Sequence, residues 1–320
     1  MDKLEKPIIC VSKCLGFENC RYNGQMSKSS FIEKLEPFVK FVTVCPETSI
    51  GLSTPRDTLR LVNREGNTKI LQPSTKMDLT ASMCEFSKEF LSVYDDIDGF
   101  ILKSRSPSCG IKDVKVYKGA DRGSAFSKGT GIFAEIIKEE YPEFIIEDEG
   151  RLTNYKIREN FLTRVYTLYR FKKVKSEYSI KKLEEFHYKN ELLLMCCNTK
   201  EYIILNNILK KDDIYSNYKV INEYEKHLKK CIKISAKYTS RIKILKYALN
   251  FFKKDINKEE EIYILDSIDK YKNGNLPFST PLYLIKSYAV RFNIEYLINQ
   301  TFFKPYPDNI MEVRDSGKSI

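Results

Sequence analysis

The chain has 320 residues, 42% of them hydrophobic and 30% charged, with a net charge of +11; that length suits two domains, and that composition excludes a disordered chain. No stretch is apolar over the ~20 residues a membrane span needs, and residues 1–6 are polar with no signal-peptide core behind them, so the expectation is a soluble, cytoplasmic protein. Nine cysteines against two histidines exclude a histidine-rich metal site, and in that compartment they point to free thiols, core residues or metal ligands ahead of disulfides.

The predicted elements follow in chain order. Residues 7–11 (PIICV) form a compact apolar run and read as a strand, with Cys14 in the loop behind it. Residues 30–39 show helical spacing. Residues 38–45 (FVKFVTVC) are rich in Val and Phe and read as a second strand that ends on Cys45. A Gly/Pro loop at 51–55 and a helical pattern at 80–94 come next. Residues 99–102 (GFIL) read as a third strand, followed by a loop, KSRSPSCG, that holds Cys109. Strands alternating with helices predict an α/β N-terminal domain built on an open, largely parallel sheet. The second half changes character: from 151 to 305 the only glycine is Gly274. Apolar residues there recur at helical spacing over 180–198, 218–238, 241–253 and 281–303, which predicts an all-α C-terminal domain. The boundary is expected within 150–179, giving domains of 1–160 and 161–320.

Charge separates the halves as well. Residues 1–155 carry 22 basic and 23 acidic side chains, net −1, and residues 156–320 carry 32 and 20, net +12. Basic positions cluster at Lys172, Lys173 and Lys175, Lys181 and Lys182, Lys210 and Lys211, Lys229 and Lys230, and Lys253 and Lys254. Any one pair reads as a solvated helix face, but their sum suggests a polyanion partner for the second half. His187 reads as a structural residue on a helix.

Cys14, Cys45 and Cys109 thus lie beyond the carboxyl ends of three strands, where open α/β sheets bind ligands. Each sits beside Gly, Pro or Ser. Three thiolates suit a zinc ion with one open position, or an iron–sulfur cubane with one free iron, and the spacing does not separate the two. Cys10, inside its strand, reads as core. Cys20, Cys84, Cys196, Cys197 and Cys231 read as structural. Glu47, in CPE, is placed to orient or deprotonate a water beside a metal, and Ser106, in SPSC, to donate a proton or hydrogen bond. Arg21, Asn23 and Arg56 lie in polar loops suited to a base or a phosphate.

The strings VSKCLG and RYNG at 11–24, VCPE and GLSTPR at 44–56, MDLT at 77–80 and DGFILKSRSPSCG at 98–110 resemble the TudS thiouracil desulfidase family. GTGIFAEII at 129–137 and EDEGRLTNYKIRENFLTRVY at 147–166 continue the likeness. EFHYKNELLLMCCNTKEY at 185–202, LPFSTPLYLIKSY at 276–288 and YLINQTFFKPYP at 296–307 resemble the YbgA-type helical domain, and such fusions are similar to the RudS tRNA 4-thiouridine desulfidases. The resemblance implies a [4Fe–4S] cluster on Cys14, Cys45 and Cys109 with one iron not ligated by protein. It implies Glu47 as catalytic acid–base and Ser106 as catalytic serine. The implied reaction is a non-redox replacement of sulfur by water in 4-thiouridine of tRNA, or in a free thiolated pyrimidine. A non-catalytic iron–sulfur RNA-binding protein and a zinc hydrolase are the other readings. Three positions depart from the pattern: Asn23 stands where RYDG is common, Cys20 precedes Arg21 as a spare thiol, and Tyr247 stands where histidine is expected.

Overall fold

The computed structural model describes residues 6–64, 66–94, 96–119, 123, 125–210 and 216–310. Lys211 lies outside the described residues, as do the ends of the two expected domains at 1–5 and 311–320. The chain forms two compact units, Met1–Val165 with Asn309–Ile320, and Tyr166–Asp308.

The first unit runs β1 (Ile8–Ser12), α1 (Ser30–Leu35), β2 (Lys40–Val44), α2 (Pro46–Ser49), β3 (Arg60–Arg64), β4 (Asn67–Gln72), β5 (Met77–Asp78), α3 (Thr80–Val93), β6 (Gly99–Leu102), β7 (Val114–Tyr117), β8 (Ser127–Gly129), α4 (Ile132–Glu140) and β9 (Ile146–Asp148). Four of these strands make a wholly parallel sheet in the order β2-β1-β6-β9. β1 lies inside it, with Ile9, Cys10 and Val11 fully buried. A strand covered on both faces has no solvent side to carry polar residues, which is why PIICV shows no alternation. From β1 the chain passes to β2 on one side and later returns to β6 on the other. The loops leaving β1 and β6 therefore diverge, and a crevice opens at the carboxyl ends.

A second sheet, order β5-β4-β3-β7-β8, is an addition to the expected single sheet. It is mixed: β3 pairs antiparallel with β4 and parallel with β7. Its strands are inserted between β2 and β6 and between β6 and β9. In β7, Val114 and Val116 are buried while Lys115 is exposed, the period of a sheet with one dry face. That dry face joins the core. Leu61, Ile70, Val114 and Val116 pack in one cluster with Phe100 and Leu102 of β6, Met83 of α3, and Phe133 and Ile137 of α4. Each large apolar side chain buried there contributes roughly 1.5–3 kcal/mol.

The stretch 150–179 is mostly one helix, α5 (Tyr155–Glu177). After it come α6 (Ile180–Cys197), α7 (Thr199–Leu209), α8 (Asn217–Ile232), α9 (Tyr238–Leu249), α10 (Lys258–Lys272), α11 (Ser279–Arg291) and α12 (Glu295–Ile298). The helical C-terminal region agrees with the sequence reading. The single helix expected over 281–303 is in fact two, because Asn293 takes a left-handed conformation (φ 51°) that ends α11. Asn198, between α6 and α7, accepts from the backbone of Lys200 and Glu201, and Asn257 with Glu260 forms a reciprocal cap on α10. Each cap satisfies otherwise orphaned N–H groups and contributes about 1 kcal/mol. His187 is buried, its Nδ1 2.8 Å from the Tyr224 hydroxyl, and Tyr247 is exposed beside the Phe251 ring. Part of the lysine charge is neutralised locally: Lys175 and Lys229 both pair with Glu225, at 2.6 and 3.1 Å. Lys181, Lys230 and Lys254 are exposed. Among the described residues no helix is long and apolar enough to cross a membrane.

Candidate active site

The crevice at the carboxyl edge of the parallel sheet is a cavity of about 820 Å³. Cys14, Cys45 and Cys109 all line it, as do Glu47, Ser106, Arg21 and Arg56. Sheet topology accounts for this. Cys14 follows β1 by two residues, Cys45 directly follows β2 and opens α2, and Cys109 lies in the loop after β6. Adjacent parallel strands deliver all three to one edge. Asn23 does not line the cavity; its side-chain amide is exposed and donates to Gln25 Oε1 at 2.8 Å.

Glu47 is the hub of the polar groups. Its Oε2 accepts from Arg56 Nε at 2.9 Å and from Arg56 Nη2 at 2.5 Å. Both side chains are largely withdrawn from solvent, with 12% and 4% of their surfaces exposed, so neither charge is screened by water. Arg56 Nη2 also donates to the Cys20 carbonyl at 3.0 Å, and the Arg56 backbone N–H donates to the Tyr22 carbonyl at 2.8 Å. The sequence reading offered Arg56 to a base or phosphate. Its donors instead fix Glu47 and the loop after β1.

The other oxygen of Glu47 faces a residue that the sequence reading missed. Ser108 Oγ donates to Glu47 Oε1 at 2.7 Å and lies 2.9 Å from Ser106 Oγ. A carboxylate only accepts, so the Ser108 proton points at Glu47 and the Ser106 hydroxyl donates to Ser108. Ser106 Oγ in turn accepts the Cys109 backbone N–H at 3.1 Å. The result is a chain, Ser106 to Ser108 to Glu47, whose middle member adjoins Cys109 and whose end lies two residues from Cys45. Nothing in the spelling SPSC tells which serine meets a carboxylate 61 positions earlier.

This serine loop is held by the start of α4. The Ile132 and Phe133 N–H groups donate to the Pro107 and Ser108 carbonyls at 3.2 and 2.9 Å, and Gly131 N–H donates to Gly110 at 2.7 Å. First-turn amides of a helix have no partner within it, so the loop carbonyls satisfy them. The approach is too close for a side chain: a Cβ at Gly131 would lie 2.6 Å from the Ser108 carbonyl group. Gly131→Ala should therefore push the serine loop off Glu47 and cost about 1–3 kcal/mol, as overpacking does. Denaturant unfolding reads the second effect. Unchanged stability would mean that the loop yields without strain.

The thiols are chemically distinct. Burial pushes the Cys109 thiol up to about 12, against a hydrogen bond with Ser12 that pulls the other way. Ser12 also accepts the Lys103 N–H at 2.9 Å, which ties the ends of β1 and β6 together. The Cys45 thiol is raised too, first by its hydrogen bond with Cys20 and then by burial. Cys20, read from sequence as structural, lines the same cavity. Contact with the Cys14 thiol is the main cause pushing the Cys20 thiol up to about 11. That correction has a simple origin: the loop 15–27 folds back, with Ser27 N–H donating to the Cys14 carbonyl at 2.8 Å, and brings position 20 beside position 14. Among the described residues no group of three or more Cys, His, Asp or Glu side chains is placed to hold a metal ion. By donor chemistry, three cavity thiols suit an iron–sulfur cluster, which takes one thiolate per iron.

Comparison with known proteins agrees with the resemblance read from the motifs. Residues 9–149 match the family described as 2-thiouracil desulfurase, and residues 191–307 match a family of unknown function, DUF1722. The uncharacterized protein YbbK of Bacillus subtilis (strain 168) is 35% identical over 150 residues, which cover 44% of this chain and 97% of YbbK. A solved structure of the [4Fe-4S]-dependent thiouracil desulfidase TudS is 26% identical, covering 46% of this chain and 93% of that one, with a TM-score of 0.36. With its cavity-lining residues inside the matched segment, apart from a few just beyond residue 149, the chain belongs to the 2-thiouracil desulfurase family.

Proposed function

We propose that this protein is a [4Fe–4S]-dependent desulfidase that replaces the sulfur of 4-thiouridine in tRNA with water oxygen, releasing uridine and hydrogen sulfide. The observation that carries the reading is the convergence of three strand-end thiols with the Ser106–Ser108–Glu47 chain in one cavity. Cys14, Cys45 and Cys109 are the cluster's ligands, and Arg21 is left to meet the substrate. Bound there with one iron free of protein ligands, the cluster supplies a soft Lewis acid for a thiocarbonyl sulfur.

The chain's own residues do the proton work. Arg56 holds one oxygen of Glu47, leaving Oε1 as the acceptor for a proton from water. The hydroxide so formed attacks the ring carbon that carries sulfur. Ser108 donates to Glu47 Oε1 and keeps the carboxylate in line, and Ser106 Oγ, with a lone pair to spare, accepts from the ring N–H beside that carbon and orients the base. As the carbonyl forms, the proton taken by Glu47 and the proton of the added hydroxyl go to sulfur, the carbon–sulfur bond breaks, and sulfur leaves as hydrogen sulfide. Carbon keeps its oxidation state, so no electron donor is needed.

The basic helical half supplies phosphate contacts to tRNA. Structured RNA is held largely through shape and backbone, which needs no sequence-reading motif. A thiolated base within a fold must also turn outward, at a cost of a few kcal/mol. The test is anaerobic purification, iron and sulfide quantitation, and loss of thiouridine absorbance from bulk tRNA. Binding of that tRNA should weaken about 10³-fold or more between 50 and 200 mM salt, given six or more phosphate contacts. Failure to bind tRNA at low salt, with turnover of free 4-thiouracil, would assign the free base as substrate and the helical half to another task.

A further inference from the structure

Cys20 has no part in the chemistry above, yet it lines the same cavity as Cys14, Cys45 and Cys109. It is 1% exposed, lines the cavity wall, and its thiol touches those of Cys14 and Cys45. Its backbone is pinned from two sides. The Cys20 carbonyl accepts from Arg56 Nη2, the group that also grips Glu47, and the Cys20 N–H donates to the Glu18 carbonyl at 2.9 Å. A cysteine that serves only as a small apolar filler has no access to the cavity, as with Cys10, which is fully buried inside β1 and does not line it. Cys20 instead faces two other soft donors and an open cavity.

We propose that Cys20 is a fourth, exchangeable donor for the iron that Cys14, Cys45 and Cys109 leave open. The inference rests on the desulfidase reading, because it needs the cluster. At rest the Cys20 S–H gives its proton to solvent and its sulfur binds that iron. When a thiocarbonyl sulfur of similar softness arrives, the iron–Cys20 bond breaks and the thiolate takes back a proton. No electrons move in either direction. The resting cluster is then closed on all four irons, and the position opens only to a ligand soft enough to compete.

The test compares wild type, Cys20→Ala and Cys20→Ser after anaerobic reconstitution, and it reads iron chemistry in place of turnover. Each protein is exposed to a chelator and to one equivalent of ferricyanide, while iron per chain and the electron paramagnetic resonance of a three-iron cluster are followed. Groups that merely support a metal ligand are worth about 10–100-fold in metal affinity, so losing a direct donor should speed loss of the fourth iron at least about tenfold. Wild type should keep four irons and show little three-iron signal, Cys20→Ala should lose one readily, and Cys20→Ser, a harder donor, should lie between. Equal lability in all three proteins overturns the inference and leaves the desulfidase reading standing. Assembly in wild type alone also overturns it, because Cys20 would then be an indispensable ligand or a folding residue. No cluster in any of them sinks both.

Discussion

Glu47→Gln should keep the full iron complement and lower the rate of sulfide release by about 10²–10⁴-fold, the usual worth of a positioned general base. The amide keeps the size of the carboxylate and still offers an oxygen, but it cannot take a proton from water. Two consequences follow from the contacts. Arg56, almost wholly withdrawn from solvent, loses its counter-charge and keeps only carbonyl and hydroxyl partners. Breaking a buried ion pair from one side costs roughly 3 kcal/mol or more, so the variant should also unfold at lower denaturant. The hydrogen-bond chain is disturbed too, because the amide can present –NH₂ to Ser108 where Oε1 had accepted. Ser108→Ala separates these effects: it interrupts the chain but leaves the Glu47–Arg56 pair intact. Sulfide release from 4-thiouracil under anaerobic single turnover, normalised to iron, is the readout. A Glu47→Gln rate equal to wild type would remove Glu47 from the chemistry.

The parts of this site that could be read from sequence are those that follow from backbone position alone. β1 and β6 are buried on both faces and β2, a half-buried edge strand, is rich in Val and Phe, so their apolar runs stand out, and the cysteines behind them had to reach one edge once the strands were parallel. Glu47 travels with Cys45 for the same reason. What could not be read depends on how loops close. Cys20 lies beside Cys14 only because Ser27 ties the loop back, and Arg56 meets Glu47 only because its own backbone is bonded to Tyr22. Both are contacts between segments with no periodicity. Ser108 and Ser106 differ by two positions in one turn, and only the fold decides which one donates to the carboxylate. The second sheet escaped for another cause. Strands as short as Met77–Asp78 and Ser127–Gly129 bury almost nothing of their own and are held by pairing with neighbours. In the helical unit, α10 is acidic at its start and largely polar, and its cap at Asn257 carries more signal than its face.

Cys109→Ala should abolish the brown chromophore, with iron falling to background, while the protein remains folded. Of the proposed ligands it is the one with no stand-in. Cys20 touches both Cys14 and Cys45 and can replace either of them after mutation, whereas the hydrogen-bond partners of the Cys109 sulfur are the hydroxyls of Ser12 and Ser108. Cys10 is close enough to influence Cys109, but it is fully buried within β1 and does not line the cavity. Removing one sulfur atom from the loop leaves the Pro107 and Ser108 carbonyls still bound to the first turn of α4, so the site should keep its shape. Cys231→Ala makes the opposite case. That thiol is buried in the helical unit, where it donates to the Leu194 carbonyl at 3.4 Å and packs against Leu228 and Ile232 in the same core cluster. Its loss should cost about 1–3 kcal/mol through the void left behind and leave iron content untouched. The pair forms a crossed test, with iron content and unfolding midpoint measured on both. If Cys109→Ala kept its iron and Cys231→Ala lost it, the metal would belong to the helical half and the cavity at the carboxyl edge of the sheet would be only a cleft.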